Sequence, residues 1–249
     1  MPNVRLVNYA IRMADEDFGI ESLAEYLHLD PAQVAKLVER GRLPGRRVAG
    51  QWRFSSSAIH HWLEQKIGLS DSDELASLED VLRTPTVASP DAPLSFLEML
   101  PVEAIAVPLA ARTRTSVMAS MTELAAATGW LWDPQQMAEA VRTREDMSPT
   151  ALETGVALLH PRRPQASILG QAFIALGITD QGIPFGGSRG TLTDVFFLIC
   201  SIDDRGHLQT LTRLSRLLSQ EGFLSELRAA PDAISIRELI AKAEKKLEL

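Results

Sequence analysis

The run Gly155-Val156-Ala157-Leu158-Leu159-His160-Pro161-Arg162 is mostly apolar and strand-like, and it delivers one histidine to a strand end that a proline then closes. A histidine fixed there, with its ring turned to solvent, is placed to attack an electrophile through a ring nitrogen. A histidine side chain in general, with an ordinary pKa of about 6.5, is mostly neutral in the cell. An ordinary core or loop-start histidine fits the same spacing, so the rest of the chain has to decide. His207 stands before the leucine-rich stretch Leu208, Leu211, Leu214 and Leu218. Other groups are less promising. His60 and His61 are consecutive, so a helix points them roughly 100° apart, and no cysteine accompanies them as a metal ligand. Cys200 lies in the apolar run from Val195, where a buried structural thiol is expected. The glycines around Phe185 to Gly190 precede a strand, as a hairpin turn does and a nucleotide loop does not. No metal and no cofactor are expected.

The elements that would hold these residues alternate between strand and helix. Strands are expected at Ala104 to Leu109, Thr154 to His160, Phe173 to Leu176 and Val195 to Ser201, with Ile183-Pro184-Phe185 as a short edge segment. Helices are expected from Thr113 to Thr128, from Asp133-Pro134 to about Arg144, and from about His207 to Gln220. A last helix would open on a Ser235-to-Glu238 capping box. This is an α/β sandwich with a mixed sheet over residues 104–249.

Upstream, Leu23, Ala24 and Leu27 share one helical face. Asp30-Pro31 with Gln33 opens a second helix, as cap, first-turn proline and box, with Val34, Leu37 and Val38 buried and Gly41 closing it. Val48 and Trp52 to Phe54 flank Ala49-Gly50 as a hairpin, and Ser55 to Ser57 offer caps for a third helix carrying Ile59, Trp62 and Leu63. Residues 1–66 therefore read as a small winged helix-turn-helix, and the whole chain as α+β. Five arginines and no acid lie between Arg40 and Arg53.

The net charge of −7 is unevenly spread: residues 1–66 hold nine Lys/Arg and eight Asp/Glu, residues 67–103 one and eight, residues 104–249 fifteen and sixteen. All the excess acid sits in the middle stretch, where Thr84 to Pro93 is also proline-rich, so residues 67–103 are expected to be a linker. No run is long enough to span a membrane and no leader is evident, which together with one cysteine points to the cytoplasm.

The first domain resembles the small winged-helix DNA-binding domain of phage excisionases and MerR-like regulators. The resemblance rests on Leu23 to Leu27, Pro31 to Arg40, Gly41-Arg42-Leu43-Pro44 and the wing Gly50-Gln51-Trp52-Arg53. It implies that Gln33, Lys36 and Arg40 face the major groove of duplex DNA, and that Arg46, Arg47 and Arg53 hold phosphates around the wing. A domain kept only for packing or protein docking is the alternative.

The second domain is similar to the IIA component of the mannitol/fructose/nitrogen class of the bacterial phosphoenolpyruvate-dependent phosphotransferase system. The resemblance covers residues 104–249 and rests on Thr143-Arg144-Glu145, Gly155 to His160, and His207-Leu208 opening a helix that ends Leu214-Ser215-Arg216-Leu217-Leu218. It implies that His160 accepts a phosphoryl group from a histidine-containing phosphocarrier protein, that His207 donates a hydrogen bond to the phosphoryl oxygens, and that Arg144 supplies positive charge beside them. The family pattern has a proline before the active histidine and a small residue after it; here Leu159 and Pro161 stand there. Pro161 removes a backbone N–H, and Arg162 and Arg163 add charge.

The combined expectation is a cytoplasmic regulator that couples DNA binding to phosphorylation of His160. The alternatives are a sugar phosphotransfer component that passes the group to a IIB partner, with the first domain a docking module, and a scaffold no longer phosphorylated. A homodimer is compatible with each, although no heptad is long enough to argue for one.

Overall fold

A computed structural model of the chain describes residues 17–27, 29–55, 58–59, 62–63, 95–187 and 190–247. The chain forms two compact units. His60, His61 and most of the acidic linker lie outside the described residues.

In the first unit, α1 (Ile20–Leu27) buries Leu23, Ala24 and Leu27, and α2 (Pro31–Glu39) buries Val34 and Val38. Asp30 starts α2: its side chain accepts from the Ala32 amide at 2.8 Å while Gln33 Oε1 accepts from the Asp30 amide at 3.0 Å. A cap of this kind contributes about 1 kcal/mol. The hairpin follows as β1 (Arg46–Val48) and β2 (Gln51–Arg53), antiparallel. Ala49 and Gly50 both have positive φ, 49° and 80°, as a two-residue turn matched to strand twist requires. Phe54, fully buried, pairs with Phe18, and the Ile59 and Leu63 side chains complete the small core. The helix-turn-helix with a wing is present as expected.

The second unit is a four-stranded mixed sheet between helical layers. Its elements are α3 (Phe96–Met99), β3 (Ile105–Ala106), α4 (Arg114–Ala126), α5 (Pro134–Met147), β4 (Val156–Leu159), β5 (Phe173–Pro184), β6 (Leu192–Cys200), α6 (Asp204–Leu218), α7 (Phe223–Ala229) and α8 (Ala233–Leu247). The strand order is β3-β5-β6-β4. β3 runs parallel to β5 and β4 parallel to β6, while β5 and β6 are antiparallel. Side chains alternate across the sheet. Ala157, Leu159, Phe173, Phe196 and Leu198 bury against Val117 and Met121 of α4 and Met137 and Val141 of α5. The opposite parity, including Leu158, Leu176 and Phe197, is buried on the other face, where Phe96 meets Phe197 edge-on and α6 lies against β6.

Several boundaries differ from the sequence reading, each for a local reason. Residues 95–103, placed with the linker by charge, supply α3 and a 3-10 turn (Val102–Ala104) to this unit, with Phe96 and Leu100 fully buried. The strand expected from Ala104 is only two residues, since the turn precedes it and Pro108 follows. Pro184 ends the long central strand β5 and is not a separate edge; a bulge between Ile178 and Ile183 lets the hairpin run on to Pro184 opposite Leu192. Asp133 caps α5 by accepting from the Gln136 amide at 2.8 Å. α6 opens at Asp204, capped by Asp203, so His207 lies one turn inside and does not start it. α8 opens at Ala233, and the Asp232 carboxylate takes the Ser235 amide at 2.8 Å in place of the expected serine cap.

Candidate functional site

β4 and β6 run parallel and end side by side, with Leu159 in register with Leu198. In α/β sheets, chemistry collects at the carboxyl ends of such strands. One residue past β4 stands His160. Its position has the parity of Val156 and Leu158, which turns the ring toward the α6 face of the sheet. One residue past β6 stands Ser201, and a tight loop leads from it into α6 and His207.

The outcome is a histidine pair. The rings of His160 and His207 lie with centroids 5.0 Å apart and planes inclined at 53°. Both are buried, at 2% and 5% exposure. His160 Nδ1 stands 2.8 Å from the Leu158 carbonyl oxygen. A carbonyl only accepts, so Nδ1 carries the proton and Nε2 keeps the lone pair. His207 Nδ1 meets Ser201 Oγ at 3.1 Å. The loop after His160 is tied to the same strand end, because the Gln165 amide donates to the Ser201 carbonyl at 3.0 Å. The sequence reading turns the His160 ring to solvent. The structure places it under cover, since the strand end is flanked by α6 and the following Pro161 is itself buried.

Arg144 lies on the last turns of α5, 7% exposed, with Nη1 donating to the Ser148 carbonyl at 2.7 Å. It thereby closes the end of its own helix. Arg162 and Arg163 are exposed beyond Pro161.

Glu145 is a site residue that sequence reasoning misses. Its carboxylate is 1% exposed and accepts from the Thr150 amide at 3.2 and 3.3 Å and from the Thr150 hydroxyl. Burial pushes this carboxyl above the ordinary range, against the opposing pull of the Thr150 hydrogen bonds and of the Arg114 charge. Arg114 Nη2 lies 3.9 Å from it. Thr150 precedes Ala151, which bridges to Ala157 of β4. A buried acid therefore pins the end of α5 to the strand that carries His160. In the sequence it enters only as part of the Thr143-Arg144-Glu145 stretch, and nothing there signals its burial, because a glutamate on a helix is usually solvated. Cys200 is fully buried, which pushes its thiol far up and makes it inert. Among the described residues, no group of His, Cys, Asp or Glu is arranged to hold a metal ion.

The first unit places its predicted contacts unevenly. Lys36 and Arg40 are exposed on and just after α2. Gln33 is exposed too, but its Oε1 is committed to the cap at Asp30. In the hairpin Arg46 faces Arg53 and Arg47 faces Trp52. Arg47 stacks on the Trp52 ring at 5.0 Å, Arg53 donates to Gln51 Oε1 at 3.2 Å, and Arg46 pairs with Asp17 at 2.6 Å. The Asp17 pair offsets the like-charge contact across the strands.

The second unit is thus a mixed-sheet α/β sandwich with a histidine pair at the ends of parallel strands, joined in one chain to a helix-turn-helix. Residues 98–243 match the family described as "Phosphoenolpyruvate-dependent sugar phosphotransferase system, EIIA 2", and residues 18–67 match the family described as "Helix-turn-helix domain". The first match spans more than half of the chain, and the protein belongs to the EIIA 2 family. It is 32% identical over 126 residues to a nitrogen regulatory protein of Bradyrhizobium diazoefficiens, covering 49% of this chain and 80% of that one. It is 27% identical over 154 residues to the fructose-specific EIIABC component of the Bacillus subtilis phosphotransferase system; 61% of this chain is covered, and it spans 24% of that protein's length. Among solved structures, the nitrogen regulatory protein IIA-Ntr from Neisseria meningitidis shares the fold with a TM-score of 0.52 at 22% identity, covering 58% of this chain and 97% of that one. IIA mannitol from Escherichia coli does so with a TM-score of 0.51 at 20% identity, covering 56% and 97%. No described helix is long and apolar enough to cross a membrane.

Proposed function

We propose that this chain is a cytoplasmic transcription regulator whose helix-turn-helix binds duplex DNA through residues 1–66, and whose EIIA domain, residues 104–249, accepts a phosphoryl group on His160 from a histidine-containing phosphocarrier protein. The observation that carries this reading is the histidine pair with a fixed tautomer. His160 Nδ1–H is held by the Leu158 carbonyl, which leaves the Nε2 lone pair to attack. A new Nε2–P bond forms in line as the donor's N–P bond breaks, and the donor nitrogen keeps the bonding pair. The ring carries positive charge after transfer, and the Leu158 carbonyl stabilises it. His207, 5.0 Å away, is the donor to the equatorial oxygens, and Arg144 adds positive charge at the end of α5. With the ring 2% exposed, docking of the donor has to uncover its Nε2 edge.

The test is transfer of labelled phosphate from phosphoenolpyruvate, through the general phosphotransferase proteins, to wild type and His160→Ala. DNA binding is then measured with and without label. Acid-labile label on wild type alone, with a change in DNA affinity, is the expected result. Label with unchanged DNA affinity supports instead a component that hands the group to a IIB partner. One observation favours a third reading, a scaffold without phosphate: the near-complete burial of the His160 ring. Its signature is no label on either protein.

A further inference from the structure

Glu244 of α8 and Arg213 of α6 form a buried ion pair, 2.7 Å from Nη2 to Oε1, with the two residues 5% and 9% exposed. The Glu244 carboxylate also takes the Phe96 amide at 2.6 Å, the Ser95 hydroxyl at 2.7 Å and the Leu97 amide at 3.4 Å. From the same helix Arg237 donates to the Leu97 carbonyl at 3.1 Å and to the Leu100 carbonyl. These contacts grip α3, a helix of four residues that is too short to hold itself. A buried ion pair contributes little to stability compared with an apolar cluster of the same volume, and its best-attested use is to specify a register or a switch.

What the pair connects is informative. α3 is the first described element after the stretch that leads from the helix-turn-helix. α6 carries His207 in its second turn, Thr210 in the next, with its hydroxyl 3.9 Å from Met99 Sδ of α3, and then Arg213. One helix therefore carries a member of the histidine pair near one end and, further along, meets α3 directly through Thr210 and Met99 and indirectly through the Arg213–Glu244 pair. A phosphoryl group on His160 brings close to two negative charges to the N-terminal part of α6, where the helix dipole and His207 both respond to it. The Arg213–Glu244 pair is formed at 2.7 Å, and a buried ion pair is the kind of contact that a change at one end of α6 can break.

We infer that the Arg213–Glu244 pair, with Ser95 and Phe96, is the coupling element through which the state of the His160–His207 pair reaches the segment that tethers the helix-turn-helix. The inference deepens the proposed regulatory function and rests on it for its purpose, but its test does not need phosphorylation. Coupling is reciprocal and is measured by a double-mutant cycle. Amide hydrogen exchange at Phe96 and Leu97 is followed in the full chain, in wild type, His207→Ala, Glu244→Gln and the double variant. His207→Ala is expected to change exchange at these amides by about tenfold when the Glu244 carboxylate is intact and by less than about twofold in the Glu244→Gln background, the size of a direct coupling. Ser95→Ala, which keeps the ion pair, serves as a milder second partner and gives an intermediate value if Glu244→Gln fails to fold. Equal effects of His207→Ala in both backgrounds overturn the inference. Absence of label on His160 in the separate transfer experiment counts against the proposed function and leaves the cycle intact.

Discussion

His160 Nδ1 donates to the carbonyl of Leu158, two residues back in its own strand, at 2.8 Å. The bond is local, so it is set by the strand end and does not depend on a partner. It commits Nδ1 to the proton and directs nucleophilic attack to Nε2. The phosphorylated protein is therefore expected to carry the group on Nε2. Nitrogen-15 and phosphorus-31 NMR of the labelled protein distinguish the two positions, and a group on Nδ1 would show that the Leu158 bond is broken on transfer.

His207 is the one side chain whose ring meets the His160 ring, at 5.0 Å, among the described aromatic contacts. The role proposed for it, a hydrogen-bond donor in the transition state, predicts a specific kinetic signature. His207→Ala should slow phosphoryl transfer by about a hundredfold, the usual cost of one preorganised donor. Its fold should persist, because α6 is capped by Asp203 and anchored by Leu208, Leu211 and Leu214. Rapid-quench measurement of label transfer checks this. A rate within about twofold of wild type would reduce His207 to a packing residue.

Glu145 gives a prediction in pH. Burial raises its carboxyl in the folded chain, so the folded state keeps the proton at pH values where the unfolded chain has released it. The stability it contributes is full below the ordinary carboxylate range and is lost as pH rises through the raised folded value. Glu145→Gln retains an oxygen to accept from Thr150 but carries no charge. Its melting temperature should exceed that of wild type at pH 7 to 8 by a few degrees, on the order expected for a buried charge of this kind. The gap should close as pH falls to about 4. A pH-independent gap would mean that the carboxyl titrates alike in both states.

Much of this site is legible in the sequence, and the reasons are physical. The apolar run into His160 and the leucine spacing after His207 are periodic signals, and each reports one face of one element. That the two histidines meet follows from the parallel pairing of β4 with β6, which no local pattern encodes. The winged unit is legible because its signals are short-range: the Asp30–Gln33 cap and the Ala49-Gly50 turn. Glu145 and Glu244 are not legible as buried groups, since each is one acid among many on an amphipathic helix. Their burial depends on Thr150 and on Ser95 with Arg213, and Ser95 and Arg213 are far in sequence from Glu244. The start of the second unit is misplaced for the same reason. Charge alone assigns residues 95–103 to the linker, and contacts with α8, β6 and α6, all distant in sequence, make them part of the fold.

Gly155 sits at φ +82° where β4 begins, and a Cβ there would stand 2.8 Å from Arg228 Nη2 and 3.2 Å from the Leu192 carbonyl. Arg228 in turn holds Asp194 at 2.8 Å and the Thr154 carbonyl at 2.7 Å. Gly155→Ala combines left-handed strain with a clash, which together cost about 1 to 3 kcal/mol. Thermal denaturation should show a clear loss, and label transfer should fall with it because β4 positions His160. Loss of stability with undiminished transfer would show that the strand tolerates a shift at its start.

The helix-turn-helix offers its own test, because the structure divides the six candidate contacts into different kinds. Lys36, Arg40 and Arg47 are exposed cations. Replacing any one with alanine should weaken duplex binding at every sequence and lower the slope of log affinity against log salt by about one. Gln33 behaves differently. Its carbonyl oxygen closes the box on the Asp30 amide, so Gln33→Ala is expected to lower the melting temperature of the first unit, at a cost of about 1 kcal/mol, before it touches base preference. Arg46 is bound to Asp17 across 2.6 Å, so its charge is already partly neutralised. Asp17→Asn should free it and strengthen binding, with a steeper salt slope. Fluorescence anisotropy on random and selected duplexes, over a salt series, measures all of these. A flat salt response in wild type would mean that no phosphates are neutralised, and the first unit would then be a protein-docking module.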